Sequence, residues 1–144
     1  MVTDILVIGG GPAGMSSALS ASENGSKVTI VERDEVLGGI LNQCIHNGFG
    51  LHYFKEELTG PEFAHRFRKM VEKDKNITVL TRTMVTELDK NVAHVQGKGG
   101  MEEIRFKACI LSMGCRERTA GNISLNGTRP MGVITAGTAQ KMVN

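Results

Sequence analysis

The sequence predicts an α/β fold, a parallel sheet with helices and an added three-stranded antiparallel β-meander, on the strength of three observations. Apolar runs at residues 4–8, 27–31, 77–80 and 108–113 are short and nearly continuous, as strands buried on both faces are. Helical patterns follow the first two. Between residues 84 and 106 the pattern shortens to alternation, and Asp89-Lys90-Asn91 and Gly97-Lys98-Gly99-Gly100 divide that stretch into three brief strands.

The first strand is stopped by Gly9, Gly10 and Gly11, and a helix begins at Pro12, whose missing N–H has no intrahelical partner in a first turn. Gly9, Gly11 and Gly14, with Pro12 and Ala13 between them, fit G-x-G-x-x-G. Chemistry explains the spacing. The first glycine makes the tight turn, the second lets backbone approach a pyrophosphate, and the third lets helix and strand pack closely. The free amides of that helix start face an anion, aided by the helix dipole. Glycine is common, so the motif alone is weak, but the pattern continues. Ala18 keeps the helix near the sheet, Gly25 closes it, residues 27–31 form the second strand, and Glu32 ends that strand. A carboxylate there accepts hydrogen bonds from an adenosine ribose diol. Arg33 follows the acid and is expected beside the adenine or simply exposed, since an acid directly before it suits a free diol better than a 2′-phosphate.

Gly38 and Gly39 form a second glycine pair whose bare backbone is suited to the far side of the same pyrophosphate. Residues 42–54 mix amides, histidines, glycines and aromatics without a period, and read as a loop or short broken helix. Asn42, Gln43, Cys44 and His46 are candidates there for lining the reactive end of a long cofactor. Thr59-Gly60-Pro61 opens a packing helix to about residue 74, with Phe63, Phe67, Met70 and Val71 inward and His65 and Arg66 on its wetter side. Residues 77–80 are the third parallel strand. The meander is expected at residues 84–88, 92–95 and 102–106, lying over the sheet in place of a crossover helix, with Val85 touching the adenine through its backbone. Residues 108–113 are the fourth parallel strand, ending at Gly114 beside the ligand crevice. Cys109 is then a core residue, and Cys115 lies just past the strand. From Arg129 onward a turn, a short strand and a helix from Ala136 are expected, the helix running to residue 144 without a cap as though part of a longer protein.

The 144 residues suffice for one domain, 1–144, with its own core. A net charge of +2 with mixed signs argues against nucleic acid and anionic membrane partners. No apolar run reaches the length of a membrane span, and no secretion signal is recognisable, so the cytoplasm is the expected location. Three cysteines without a C-x-x-C pair, and four dispersed histidines, predict neither a disulfide framework nor a metal site.

Taken together, V-I-G-G-G-P-A-G through V-E-R, the Gly38-Gly39 pair, the meander and the strand running to Gly114 resemble the FAD-binding domain of the pyridine nucleotide-disulfide oxidoreductase superfamily. Within it, GGILNQCIHNGFG, GCRERT and RPMGVITAGTAQ look like a branch of NAD(P)/FAD-dependent oxidoreductases often found beside glycerol-3-phosphate dehydrogenase-like flavoproteins. The resemblance implies a Rossmann-like FAD/NAD(P)-binding fold, incomplete at the C-terminus because the NAD(P)-binding domain and the final FAD-domain segment are absent. It also implies that Gly9, Gly11, Gly14 and Gly39 contact the FAD pyrophosphate, Glu32 and Arg33 the adenosine, Val85 the adenine and Gly114 the cofactor's edge. The superfamily's disulfide reductases carry C-x4-C after the glycine pair, whereas here Cys44 is followed five residues later by Phe49, which argues against thiol-disulfide exchange. The expected parent is a flavin-dependent enzyme with NAD(P)H as its partner cofactor, and this portion alone is expected to be inactive. Two other readings stand beside it: a stand-alone NAD(H)-binding module, and a non-catalytic assembly subunit that forms a homodimer through an exposed sheet edge.

Overall fold

Leu6 and Val7 are fully buried because the strand they occupy has neighbours on both sides and cover on both faces. In the computed structural model, which describes residues 1–128 and 130–143, that strand is β1 (Ile5–Ile8). It is followed by α1 (Pro12–Glu23), β2 (Val28–Val31), a 3₁₀ turn (Gly39–Gln43), β3 (Asn47–Phe49), β4 (Leu58–Thr59) and α2 (Gly60–Lys73). Next come β5 (Ile77–Leu80), β6 (Met84–Leu88), β7 (Val92–Gly97), β8 (Gly100–Arg105), β9 (Ala108–Leu111) and α3 (Ala136–Val143). The chain divides into two compact units, Met1–Gly114 and Cys115–Asn144.

In the first unit β5, β2, β1 and β9 form a parallel sheet in that order, with Ile5 opposite both Val28 and Ala108, and Val28 opposite Ile77. The alternation of side chains along these strands builds two cores. Val7, Val28 and Ile30 point to one face and pack with Met15 and Ala18 of α1 and with Phe67 and Val71 of α2. Leu6, Ile8 and Val31 point to the other and pack with Ala93, Val95, Ile104 and Phe106 from the meander region. The meander therefore covers the face that a crossover helix would otherwise cover, as its alternating pattern predicts. Cys109 is half-buried against this second core, and burial pushes its thiol pKa up.

Thr59 caps α2 through a capping box: its hydroxyl accepts the Glu62 N–H, and the Glu62 carboxylate accepts the Thr59 N–H at 2.8 Å. Arg66, on the same helix, pairs with Glu56 and lies over the Phe54 ring, so its charge is spent on a neighbouring loop. His65 is exposed.

Several boundaries differ from the sequence expectation, β7 among them, which runs to Gly97 and not only to Val95. Residues 42–54 are not uniformly irregular, because β3 pairs antiparallel with β4, Asn47 opposite Thr59. β9 stops at Leu111, where the Ser112 N–H still donates to Ile8 O but the chain turns away. In the meander, β8 begins at Gly100, two residues earlier than the pattern suggests, because the β7–β8 ladder runs up to Gly97 opposite Gly100.

In the second unit α3 begins where expected, and its first turn is tied by the Gly137 N–H donating to Glu117 Oε1 at 2.8 Å. The short strand expected before it is absent among the described residues. Pro130 has no N–H to give a ladder and Gly132 takes a φ of +94°, so residues 131–132 form a turn instead. Arg129, where that expectation starts, lies outside the described residues. Among the described residues, no helix is long and apolar enough to cross a membrane, and no three His, Cys, Asp or Glu side chains converge on a metal position.

Candidate functional site at the carboxyl ends of the parallel strands

All four parallel strands end on one rim, and β1 has β2 on one side and β9 on the other, so the chain leaves β1 at the point where the sheet order reverses. A crevice opens at such a switch point. The rim carries the turn after β1, Glu32 after β2, residues 81–83 after β5, and Ser112 after β9.

The turn is shaped by close approach. Gly9 has a φ of +101°, and a Cβ there would stand 2.5 Å from the Ser112 carbonyl oxygen. At Gly14 a Cβ would overlap the Gly9 carbonyl oxygen, so only glycine lets α1 start this near β1. Ser112 Oγ donates to the carbonyls of Ile8 and Gly9, at 2.9 and 2.8 Å, tying the end of β9 to the turn. Gly11, the residue before α1, differs: a Cβ there would meet nothing within 4 Å. No side chain caps this helix, Pro12 and Ala13 are exposed, and Met15 is the first residue whose N–H reaches back, to Gly11 O. The first-turn amides thus sit beside open space, as an anion site requires.

The second glycine pair packs against the first. Gly38 N–H donates to Gly10 O at 2.8 Å, and a Cβ on Gly39 would lie 3.1 Å from Gly11 Cα. Two bare stretches of backbone therefore meet at the head of α1. Gly10, given no role beyond interrupting the strand, is also in close contact, because a Cβ on it would overlap Leu37 Cδ2 and displace that side chain. Nothing in G-x-G-x-x-G marks that position.

Glu32 is 7% exposed and aimed at the same turn. Its Oε2 accepts the Gly10 N–H at 2.7 Å and its Oε1 accepts the Asp34 N–H at 2.9 Å. Each carboxylate oxygen has a second lone pair, so this seating leaves acceptor capacity for a ligand hydroxyl. Its backbone is held on the other side, where the Thr83 N–H donates to Glu32 O at 3.0 Å. Arg33 is exposed, and Val85 is half-buried on β6 opposite Val95. Gly114 is the last residue of the first unit, with open space around its α-carbon.

The four candidates past the glycine pair separate. Asn42 turns inward, its Nδ2 donating to Leu37 O at 3.2 Å and its Oδ1 accepting from Arg68 at 3.0 Å. Gln43 ends the 3₁₀ turn. Cys44 is half-buried and its carbonyl accepts the Gly60 N–H. His46 is exposed, its ring 5.3 Å from that of Phe49. Arg68 escapes sequence reading entirely, because its partner Leu37 lies 31 positions earlier and a lone arginine on an amphipathic helix reads as solvated.

Bare amides at a helix start, room at Gly11, a second glycine pair in contact and a buried acid oriented by amides fit a dinucleotide diphosphate with its ribose. The pyridine nucleotide-disulphide oxidoreductase family model matches residues 3–141 of this chain. Hydrogen cyanide synthase subunit HcnB of Pseudomonas protegens is 26% identical over 121 residues, covering 79% of this chain and 25% of that protein. NADH dehydrogenase of Ferdinandcohnia aciditolerans is 33% identical over 119 residues, covering 82% of this chain and 22% of that protein. The chain thus spans about a quarter of the length of these relatives. Among solved structures, thioredoxin reductase from Streptococcus pyogenes superposes with a TM-score of 0.65 at 29% identity, covering 83% of this chain and 38% of that one.

Proposed function

Since the chain belongs to the pyridine nucleotide-disulphide oxidoreductase family, we propose that it is the FAD-binding portion of a flavin-dependent oxidoreductase that passes electrons between a nicotinamide cofactor and a further donor or acceptor. The observation that carries this reading is the contact between the two glycine stretches, where a Cβ on Gly39 would lie 3.1 Å from Gly11 Cα, together with Glu32 hydrogen-bonded to Gly10. A single nucleotide-binding turn has no need of the second pair. Gly11, Ala13, Gly14 and Gly39 would hold the diphosphate, Glu32 the ribose diol, with Arg33 and Val85 toward the adenine and Gly114 at the cofactor's edge. When bound, a flavin supplies the two-electron chemistry, while the protein contributes position and electrostatics. Cys44 has no second cysteine five residues on, so the chain has no C-x4-C dithiol after the glycine pair to relay electrons.

The stand-alone NAD(H) module is less well supported, because neither the glycine pair nor the meander is required for it. The assembly reading has one observation in its favour. β9 ends the sheet order and Leu111 on it is 59% exposed, so a second copy can extend the sheet there. Sedimentation across a range of concentrations checks this, and a monomer throughout removes it.

Extraction of the purified protein, with absorbance and mass of what is released, followed by FAD and NADH titrations, tests the main reading. FAD is expected to bind in preference to NADH. Glu32→Ala is expected to weaken FAD by about tenfold or more, because the diol acceptor is lost and the Gly10 amide is left without its partner. A protein that takes up NADH but not FAD would overturn the assignment.

A further inference from the structure

Resting on the FAD reading above, we propose that Arg68, reaching across from α2, is a positioning residue that presets the Gly38-Gly39 turn to receive a diphosphate. The turn needs presetting because of what it is made of. Gly38 sits at φ +125° and Gly39 at +52°, angles that admit few other residues, and glycine moves among alternative backbone states at little cost. Sequence alone therefore leaves this peptide free to turn over.

The structure fixes it from both ends. The Leu37–Gly38 peptide directs its N–H to Gly10 O at 2.8 Å and its carbonyl to the opposite side, where Arg68 Nη1 donates to it at 2.8 Å. The same Nη1 donates to Asn42 Oδ1 at 3.0 Å, and Asn42 Nδ2 returns to Leu37 O. That amide group fills the place where a Gly38 Cβ would stand, 2.5 Å from Oδ1. Two partly negative oxygens, the Leu37 carbonyl and Asn42 Oδ1, are thereby gathered on the α2 side by one cation. A peptide turned over would set the Leu37 carbonyl against Gly10 O and break the bond that seats the second glycine pair on the head of α1, whereas the preset peptide keeps Gly39 beside Gly11, where the diphosphate is proposed to lie. Leu37 is also packed into the helix-side core with Phe67, so the arginine and the core hold the same residue.

The test uses the full chain with FAD and, separately, ADP as probes. Arg68→Ala is expected to weaken both by about tenfold or more, the loss of a charge-assisted hydrogen bond. The Gly38 and Gly39 amide resonances of the ligand-free protein are expected to shift or broaden. Millimolar methylguanidinium is expected to restore affinity and resonances together without raising the melting temperature in proportion, which a purely structural role would not do. Arg68→Lys, keeping the charge without the planar fork, serves where the alanine variant does not fold, and is expected to bind more weakly than wild type. Wild-type affinity in a folded Arg68 variant, or a loss that merely follows the unfolded fraction and resists methylguanidinium, overturns the positioning role while leaving the FAD reading intact. A wild-type protein that binds neither FAD nor ADP overturns both.

Discussion

Gly11 and Gly14 stand three residues apart in one motif yet answer to different demands. A methyl group on Gly14 would run into backbone, the Gly9 carbonyl, which has nowhere to go without breaking the turn. A methyl group on Gly11 would meet no protein atom. Gly14→Ala is therefore expected to lower the urea midpoint, at a cost of about 1–3 kcal/mol. Gly11→Ala is expected to leave the midpoint where it is and to weaken FAD binding, since the added carbon occupies the space proposed for the diphosphate. Equal effects of the two on stability would show that the room at Gly11 is not reserved for a ligand. The motif separates the two roles, approach at Gly11 and packing at Gly14, but spacing carries no information about which atoms lie opposite. For the same reason Gly10, Ser112 and Arg68 were not legible. Their partners are Leu37, the Ile8 and Gly9 carbonyls, and again Leu37, none of them near in sequence.

The elements that the sequence places well are those with a sustained apolar or alternating pattern, such as β5 and β6, or with their own start signal. α2 begins where Thr59-Gly60-Pro61 predicts, because the capping box is local: Thr59 and Glu62 satisfy each other's backbone amides before any tertiary contact forms. β3 and β4 have no such signal. They are three and two residues long and are defined only by pairing with each other across the intervening loop. The capping box also predicts a pH response. The N–H and hydroxyl of Thr59, donating to the Glu62 carboxylate, hold its pKa below the ordinary glutamate value. A carboxyl lowered in the folded state contributes stability that is present above the unfolded value of about 4.3 and is lost as pH falls through the folded value. Thr59→Ala is expected to cost about 1 kcal/mol near neutrality. Glu62→Gln is expected to flatten the fall in stability below about pH 4.3 relative to wild type. Urea titrations at a series of pH values read both, and parallel wild-type and Glu62→Gln profiles would remove Glu62 from the acid response.

At the scale of the whole molecule, every residue of both buried clusters comes from the stretch between Val7 or Leu6 and Phe106, and the strand that closes the sheet ends at Leu111. α3 has no buried residue, and Met131, Met142 and Val143 are more than 70% exposed. The cradle itself, from Gly9 to Gly39 with Glu32, Arg68 and Ser112, lies wholly within Met1–Gly114. Stability and nucleotide affinity are thus expected to reside in the first unit. A chain ending at Gly114 should melt within about 4 °C of the full one, the shift that about 1 kcal/mol produces in a domain this size, and should bind ADP with the same affinity. Limited proteolysis should cut first between residues 115 and 135, where the chain has neither helix nor strand among the described residues, and should leave the first unit intact. A truncated chain that unfolds, or that folds and no longer takes up ADP, would mean that residues 115–144 contribute to the core or to the adenine half of the site, and the assignment of both to the first unit would have to be withdrawn.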